Sequence, residues 1–164
     1  MTTNADWDQR VAELWATIDD HSEEDFIARI GELASELPPD NAEALFERGC
    51  AFDTTGHSDL AVPLYRQALE RGLTGIRRRR AVVQMSSSLR NIGRVSEAVA
   101  LLTKERSAGS DELDDAVAAT LALALADSGR EREAVSIALA ALAPHLVRYQ
   151  RSMANYARLL IEDE

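Results

Sequence analysis

The 164-residue sequence has a single cysteine, few aromatic residues and no long run of apolar residues. The lone Cys50 excludes an intramolecular disulfide and a cysteine-based zinc cluster, and the three histidines are scattered, so we expect no metal site. No segment approaches the ~20 apolar residues that cross a bilayer, and the opening MTTNADWDQR lacks the basic and then apolar layout of a signal peptide. We therefore expect a cytoplasmic protein with no membrane partner.

The sequence also lacks the motifs of an active site. Nucleophilic catalysis would leave a serine or cysteine elbow with flanking glycines, and neither this motif nor a glycine-rich phosphate loop is found. Cys50 is typical of a small packing residue, and His21, His57 and His145 are typical of solvated turns. We therefore expect no catalytic residue, no cofactor and a function other than catalysis.

Acidic and basic residues are segregated along the chain, whose formal net charge is −10. Residues 1–40 carry eleven acids and two bases, whereas residues 66–106 carry ten bases and three acids. The basic segment would either bind an acidic partner or be neutralised by the protein's own acidic segments, and both interpretations stay open. A nucleic-acid partner is not expected, because the side chains of Arg77–Arg80 point in different directions on a helix and the net charge repels phosphates.

The clearest positive feature is a repeat. Gly56, Gly93 and Gly129 lie 37 and 36 residues apart. Each glycine is followed five residues later by an alanine and preceded four residues earlier by a large apolar residue. The alanines are Ala61, Ala98 and Ala134, and the apolar residues are Phe52, Leu89 and Leu125. A glycine permits the left-handed turn that ends a helix, and an alanine allows two helices to cross closely, so each unit is predicted to be a helical hairpin.

Local signals predict where the helices begin and end. Ser22, followed by Asp25, forms a capping box, and Ser58, Ser96 and Ser110 predict three further starts. Pro38 and Pro39 are predicted to end one helix and Gly109 another. Gly72 and Gly75 bracket a predicted break between two helices, and Pro144 separates the last hairpin from the terminal helix. The last helix is expected over about residues 146–161.

The stretch AEALFERGCAFDTTGHSDLAVPLYRQALERG resembles a tetratricopeptide repeat, a helix-turn-helix unit of about 34 residues. Seven of its residues fall on signature positions: Leu45, Gly49, Phe52, Gly56, Ala61, Tyr65 and Ala68. Arg48 departs from the pattern, because the family prefers leucine there. An earlier, degenerate unit has Trp15 in place of the small residue, and its Ala34 lies 34 residues before Ala68. The full chain is similar to the small bacterial tetratricopeptide repeat group 5.

This resemblance implies one all-α domain, a right-handed α-α superhelix (solenoid) of about three and a half hairpins with a C-terminal capping helix. The expected parts are a degenerate hairpin over 5–41, repeats over 42–75, 76–109 and 110–144, and a capping helix over 145–162. Five residues of that last helix form an apolar stripe: Leu146, Tyr149, Met153, Tyr156 and Leu160. The stripe would either cover the preceding hairpin or seal a homodimer, and both alternatives stay open.

In tetratricopeptide repeats the first helices line a concave groove, and their residues off the buried stripe contact the ligand. Carried over by register, the expected ligand-binding residues are Arg77, Arg80, Gln84, Ser87, Arg90 and Asn91, with Phe46 and Cys50 in the preceding repeat. Arginine and amide side chains suit carboxylates or the backbone of an extended peptide. A polar strip is also ordinary on a solvated helix, so that alternative stays open. The strip lacks the lysine and asparagine pattern of the carboxylate-clamp domains, so a chaperone tail is not expected.

The sequence therefore predicts a non-catalytic protein-interaction scaffold that binds a peptide or protein segment, with acidic groups, in its concave groove. The alternative is a self-associating, homodimeric structural protein with no separate ligand.

Overall fold

The computed structural model describes residues 4–162, and these residues contain helices, turns and loops but no β-strand. The nine helices of this range are α1 (Asn4–Ala16), α2 (Glu23–Ser35), α3 (Ala42–Thr54), α4 (Ser58–Glu70), α5 (Gly75–Asn91), α6 (Val95–Ala108), α7 (Asp114–Asp127), α8 (Glu131–Leu142) and α9 (Gln150–Glu162). Short 3₁₀ turns occupy Ile18–Asp20 and Ala143–His145. The predicted all-helical fold class is confirmed. None of these helices is long and apolar enough to cross a membrane.

The chain divides into two compact units, Met1–Ala81 and Val82–Glu164, and the boundary falls within α5. In the first unit α1 packs on α2, α2 on α3 and α3 on α4. In the second unit α6 packs on α7, α7 on α8 and α8 on α9. Consecutive helices therefore pack as neighbours within each unit, as helical hairpins do. The expectation of a single domain stays a prediction.

The left-handed glycines explain the spacing of the repeat. Gly56, Gly93 and Gly129 have φ angles of 82°, 79° and 78°. The residue after each glycine donates its backbone N–H to the carbonyl of the large apolar residue four positions before that glycine. These bonds join His57 to Phe52 at 2.8 Å, Arg94 to Leu89 at 2.8 Å and Arg130 to Leu125 at 2.9 Å. This 6→1 bond is the mark of a Schellman helix end, so the predicted helix stops at these glycines are confirmed.

The degenerate first hairpin is stabilised by aromatic packing. Trp15 packs against two groups of buried residues, one containing Trp7 and the other containing Phe26. The rings of Trp15 and Phe26 meet edge to face with their centroids 4.8 Å apart. The Trp7 indole donates to the Leu33 carbonyl at 2.8 Å, which joins α1 to α2. The large residue in place of the usual small one thus packs into the core of this unit.

In the next hairpin, α3 and α4 cross where Gly49 faces Tyr65. A Cβ atom at Gly49 would lie 3.0 Å from two atoms of the Tyr65 ring, and this tyrosine is fully buried. The Tyr65 hydroxyl donates to the Asp53 carboxylate at 3.2 Å. Burial raises the pKa of Tyr65, so this hydroxyl stays protonated. The close approach explains why a glycine is needed at the signature position.

Two of the predicted helix starts differ from those in the structure. Ser22 caps α2 as expected, because its hydroxyl accepts the Asp25 N–H at 3.2 Å. α4 begins at Ser58 as predicted, and α6 begins at Val95, one residue before Ser96. The segment after Ser110 forms a turn in which the Ser110 hydroxyl donates to the Asp114 carboxylate. α7 therefore begins only at Asp114.

The last helix also begins later than predicted, at Gln150. Leu146 has extended backbone and Tyr149 has a φ angle of 69°, so neither is helical. The side of α9 that faces inward carries Ala157, which is fully buried, with the half-buried Met153 and Leu160 on either side. The predicted stripe was therefore wrong in register, because Tyr149 and Tyr156 are 74% and 61% exposed. The helix still covers α8, and the Ser136 hydroxyl of α8 donates to the Ala157 carbonyl at 2.6 Å.

Candidate functional site

Helix α5 carries the predicted polar strip. Its buried residues include Val82, Met85 and Leu89, which follow the spacing of one helix face as predicted. Arg80 at one end of the strip and Asn91 at the other are exposed. The strip residues between them, Gln84 and Ser87, are half-buried. Packing of α5 therefore leaves part of each strip residue accessible.

Arg80 is the best-placed residue for a ligand. Its guanidinium carbon lies 5.1 Å from the centroid of the Phe46 ring, which is itself fully buried. A cation held over an aromatic face in this way is attracted by the ring and has fewer orientations open to it. Arg80 is exposed, and within residues 4–162 no carboxylate pairs with it. Its N–H groups therefore remain available to an acidic group from outside.

Arg77, in contrast, is used inside the protein. Its side chain donates to Asp8 at 2.7 Å and to Glu47 at 3.2 Å, and the Trp15 indole donates to Glu47 at 2.9 Å. The Glu47 side chain is only 5% exposed, so this carboxylate depends on these partners. Burial by itself would lower the pKa of Arg77, but the hydrogen bond to Asp8 and the charge of Glu47 outweigh it and raise the pKa. Arg77 thus joins α1, α3 and α5 and has little capacity left for a ligand.

Arg90 is also paired within its own unit. Its Nε atom donates to Asp127, the last residue of α7, at 2.7 Å. Arg77 and Arg90 both come from the basic segment, residues 66–106, whereas Asp8 comes from the acidic segment 1–40. Asp127 comes from residues 107–164, which carry ten acids and five bases. For these two arginines, the interpretation of internal neutralisation is therefore confirmed.

The other predicted residues need a revision. Phe46 and Cys50 are 0% and 1% exposed, because α3 packs on both α2 and α4. The Phe46 ring contacts the Arg80 guanidinium. Neither Phe46 nor Cys50 offers surface to a ligand. We therefore retain Phe46 as a positioning residue and drop Cys50 from the expected ligand contacts.

Sequence reasoning also missed the burial of Arg79. This arginine is 6% exposed, and its Nε atom has no hydrogen-bond partner, although the side chain has other interactions. Arg79 lies three residues before Val82 and seven before the fully buried Ser86. This spacing places it on the buried stripe, and that signal was present in the sequence.

Between residues 4 and 162, no three histidine, cysteine, aspartate or glutamate side chains are grouped so that they could hold a metal ion. The Cys50 side chain is buried and forms no disulfide. The polar groups of α5 can donate and accept hydrogen bonds, which suits binding.

Comparison with known proteins gives one result. A family model described as tetratrico peptide repeat matches residues 42–160, which is most of the chain. No curated protein and no solved structure matches the chain. Repeats of this family mediate protein–protein interaction and are not catalytic. The match, together with the helical hairpins, shows that this chain belongs to the tetratricopeptide repeat family, as its resemblance to group 5 predicted.

Proposed function

We propose that this chain is a non-catalytic scaffold that binds a protein or peptide segment along the exposed face of α5. The observation that carries the proposal is Arg80, an exposed cation held over Phe46 and paired with no carboxylate of residues 4–162. An arginine in this position binds a carboxylate through two parallel hydrogen bonds. The ligand is therefore expected to carry an acidic side chain or a C-terminal carboxylate.

Three further residues of α5 would extend the contact. Gln84, Ser87 and Asn91 follow Arg80 at intervals of four, three and four residues, which keeps all of them on one side of the helix. Their amide and hydroxyl groups both donate and accept hydrogen bonds. They suit the backbone of an extended segment whose acidic group is bound by Arg80.

The internal pairs of Arg77 and Arg90 support the assignment of one main cation. Both guanidinium groups bind carboxylates of this chain. A ligand carboxylate at either position would have to displace an existing partner, whereas at Arg80 it would displace only water. The strip is therefore expected to bind one acidic group strongly rather than a run of acidic residues.

Affinity capture from the native lysate tests this proposal. The wild type is compared with Arg80→Glu, and Arg106→Glu on α6 gives the same charge change at another exposed position. A protein captured by the wild type and by Arg106→Glu but lost with Arg80→Glu would support the site. Equal capture by all three proteins, with unchanged circular dichroism, would refute it.

A second candidate function is self-association through α9. Tyr156 and Leu159 are 61% and 38% exposed, and they lie on the side of α9 that does not face α8. Neighbouring apolar side chains on a surface often mark an interface. The form of this hypothesis in which the basic segment of one copy binds the acidic segment of another has less support, because Arg77 and Arg90 are already paired. Sedimentation of the wild type and Tyr156→Glu tests it, and a monomeric wild type would refute it.

A further inference from the structure

A cavity of about 400 Å³ opens in the first unit, away from α5. It lies between the second half of α2, the loop after it and the first half of α3. Most of its lining is apolar, and the residues that matter here are Gly31, Leu37, Pro38, Leu45 and Arg48. Pockets from about 300 Å³ upward are large enough to hold a ligand group.

Two sequence features explain why the space is empty of side chains. The 34-residue offset that aligns Ala34 with Ala68 also aligns Gly31 with the fully buried Tyr65. Apart from adjacent residues and the nearby backbone of α2 itself, no atom lies within 4 Å of the position that a Cβ would occupy at Gly31. Arg48 stands where the family prefers leucine, and its side chain is exposed instead of filling the core. The pocket therefore occurs where neither Gly31 nor Arg48 places a large apolar side chain in the core.

Arg48 gives the pocket a charge. It lines the pocket and is exposed, and across residues 4–162 no carboxylate pairs with it. The other lining side chain with a hydrogen-bonding group is Ser35, whose hydroxyl donates to the Glu32 carbonyl at 2.7 Å. The two prolines after α2 have no backbone N–H to offer. The pocket therefore suits an apolar side chain with a carboxylate beside it, and it offers little to a peptide backbone.

The end of α9 presents such a pair of groups. Leu159 is 38% exposed, and Glu162 follows it by three residues, so the two side chains are neighbours on the helix surface. Glu162 pairs with Arg158 in an exposed i, i+4 contact, which is a weak type of pair that another arginine can replace. The sequence continues with Asp163 and Glu164, which add negative charge.

We propose that this pocket beside Gly31 binds the end of α9 from a second copy of the chain. Leu159 of the second copy inserts between Leu37 and Leu45, and Glu162 pairs with Arg48. This deepens the self-association considered above, because it names the surface that receives α9. The contact joins two different surfaces, so it is head-to-tail. A linear oligomer built from it has an unoccupied pocket at one end and an unoccupied α9 end at the other.

Sedimentation velocity of the wild type and single variants is the first test. The wild type should associate as its concentration rises toward about 1 mM, since interfaces below about 1,200 Å² are commonly weak. Gly31→Leu fills the pocket and Leu159→Ser removes the inserted side chain, so both should remain monomeric. Arg48→Gln should weaken association about tenfold, because it removes a charged hydrogen bond. The matched controls, Ala28→Leu on α2 and Ile161→Ser on α9, should associate like the wild type.

Mixing two variants gives the sharper test. Gly31→Leu keeps its helix end and Leu159→Ser keeps its pocket, so the mixture should form a 1:1 dimer that grows no further, although each protein alone is monomeric. A symmetric α9 interface would instead be disrupted by Leu159→Ser and unaffected by Gly31→Leu, which would overturn the proposal without excluding self-association. A monomeric wild type, or a mixture that forms no dimer, would overturn it as well. Arg80→Glu should leave this association unchanged, which separates the test from that of the α5 site.

Discussion

Replacing Gly49 by alanine tests the packing of α3 on α4. In an exposed helix the change would be favourable, because alanine stabilises a helix by about 1 kcal/mol relative to glycine. At Gly49 the new Cβ would lie 3.0 Å from the ring of Tyr65, whereas two carbon atoms prefer a separation of about 3.5–4.0 Å. Tyr65 is fully buried and bonded to Asp53, so its ring has little room to move away.

The expected size of the effect follows from these two opposing contributions. Overpacking of a close-packed core costs about 1–3 kcal/mol, and the helix preference recovers up to about 1 kcal/mol. We therefore expect Gly49→Ala to lower the free energy of unfolding by about 1–2 kcal/mol. Gly31→Ala is the matched control, because Gly31 is also inside a helix but no side chain or other helix lies within 4 Å of the place where the new Cβ would lie. It should raise the free energy of unfolding by about 0.5–1 kcal/mol.

Urea unfolding followed by circular dichroism measures both changes in the free energy of unfolding. An unchanged m value would show that the variants and the wild type expose the same surface on unfolding. In a Tyr65→Leu background the penalty of Gly49→Ala should largely disappear, because the contact that causes it has been removed. If Gly49→Ala proved as stable as Gly31→Ala, the close crossing of α3 and α4 would be refuted.

Three other changes probe the internal pairs and a helix cap. Arg77→Met leaves the buried Glu47 carboxylate without its main cation and should cost about 3–5 kcal/mol in a urea melt, whereas the double change with Glu47→Gln should recover part of the loss. Hydrogen bonds from Arg10 hold the pKa of the Glu36 carboxyl below its usual range, so this pair stabilises the fold above about pH 4.3 and the contribution is lost as the pH falls through the lower folded pKa. Urea midpoints of Glu36→Gln and the wild type should therefore differ at neutral pH and converge in acid. Ser22→Ala removes the cap of α2 and should lower thermal stability by about 1 kcal/mol, and an unchanged melting temperature would contradict the cap.

The repeat could be predicted from the sequence because its signals are local. The glycines that end helices need a left-handed backbone, and the positive φ angle of Gly56 lets the His57 N–H donate to the Phe52 carbonyl within six residues. Position 49 likewise needs a small residue because of one contact within the same hairpin, that of Gly49 with Tyr65. Such features repeat at a fixed spacing, so they are visible without knowledge of the tertiary structure.

The internal pairing of the basic segment could be anticipated only in general. The segregated charges allowed both an external and an internal partner for the arginines. Arg77 meets Asp8 across 69 residues, and no local pattern selects this acid from the others in the segment. The distinction between Arg77 and Arg80 therefore depends on tertiary packing, which also decides that Phe46 lies beneath Arg80.

The prediction of which α9 residues are buried was wrong for a different reason. Tyr149 and Tyr156 are large and apolar, and their spacing with Met153 matches a buried stripe. The fold instead places the small Ala157 against α8, where the Ser136 hydroxyl reaches its carbonyl. A hydrophobicity pattern favours large residues and gives little weight to an alanine at a close crossing.

The central claim is that Arg80 binds an acidic group of a partner. Once a segment has been captured, isothermal titration of that segment into the wild type and into Arg80→Gln measures the claim directly. We expect at least about a tenfold loss of affinity in Arg80→Gln, because a charged hydrogen bond typically contributes about 1.5–3 kcal/mol. Equal affinities for the two proteins, with unchanged stability, would contradict the account.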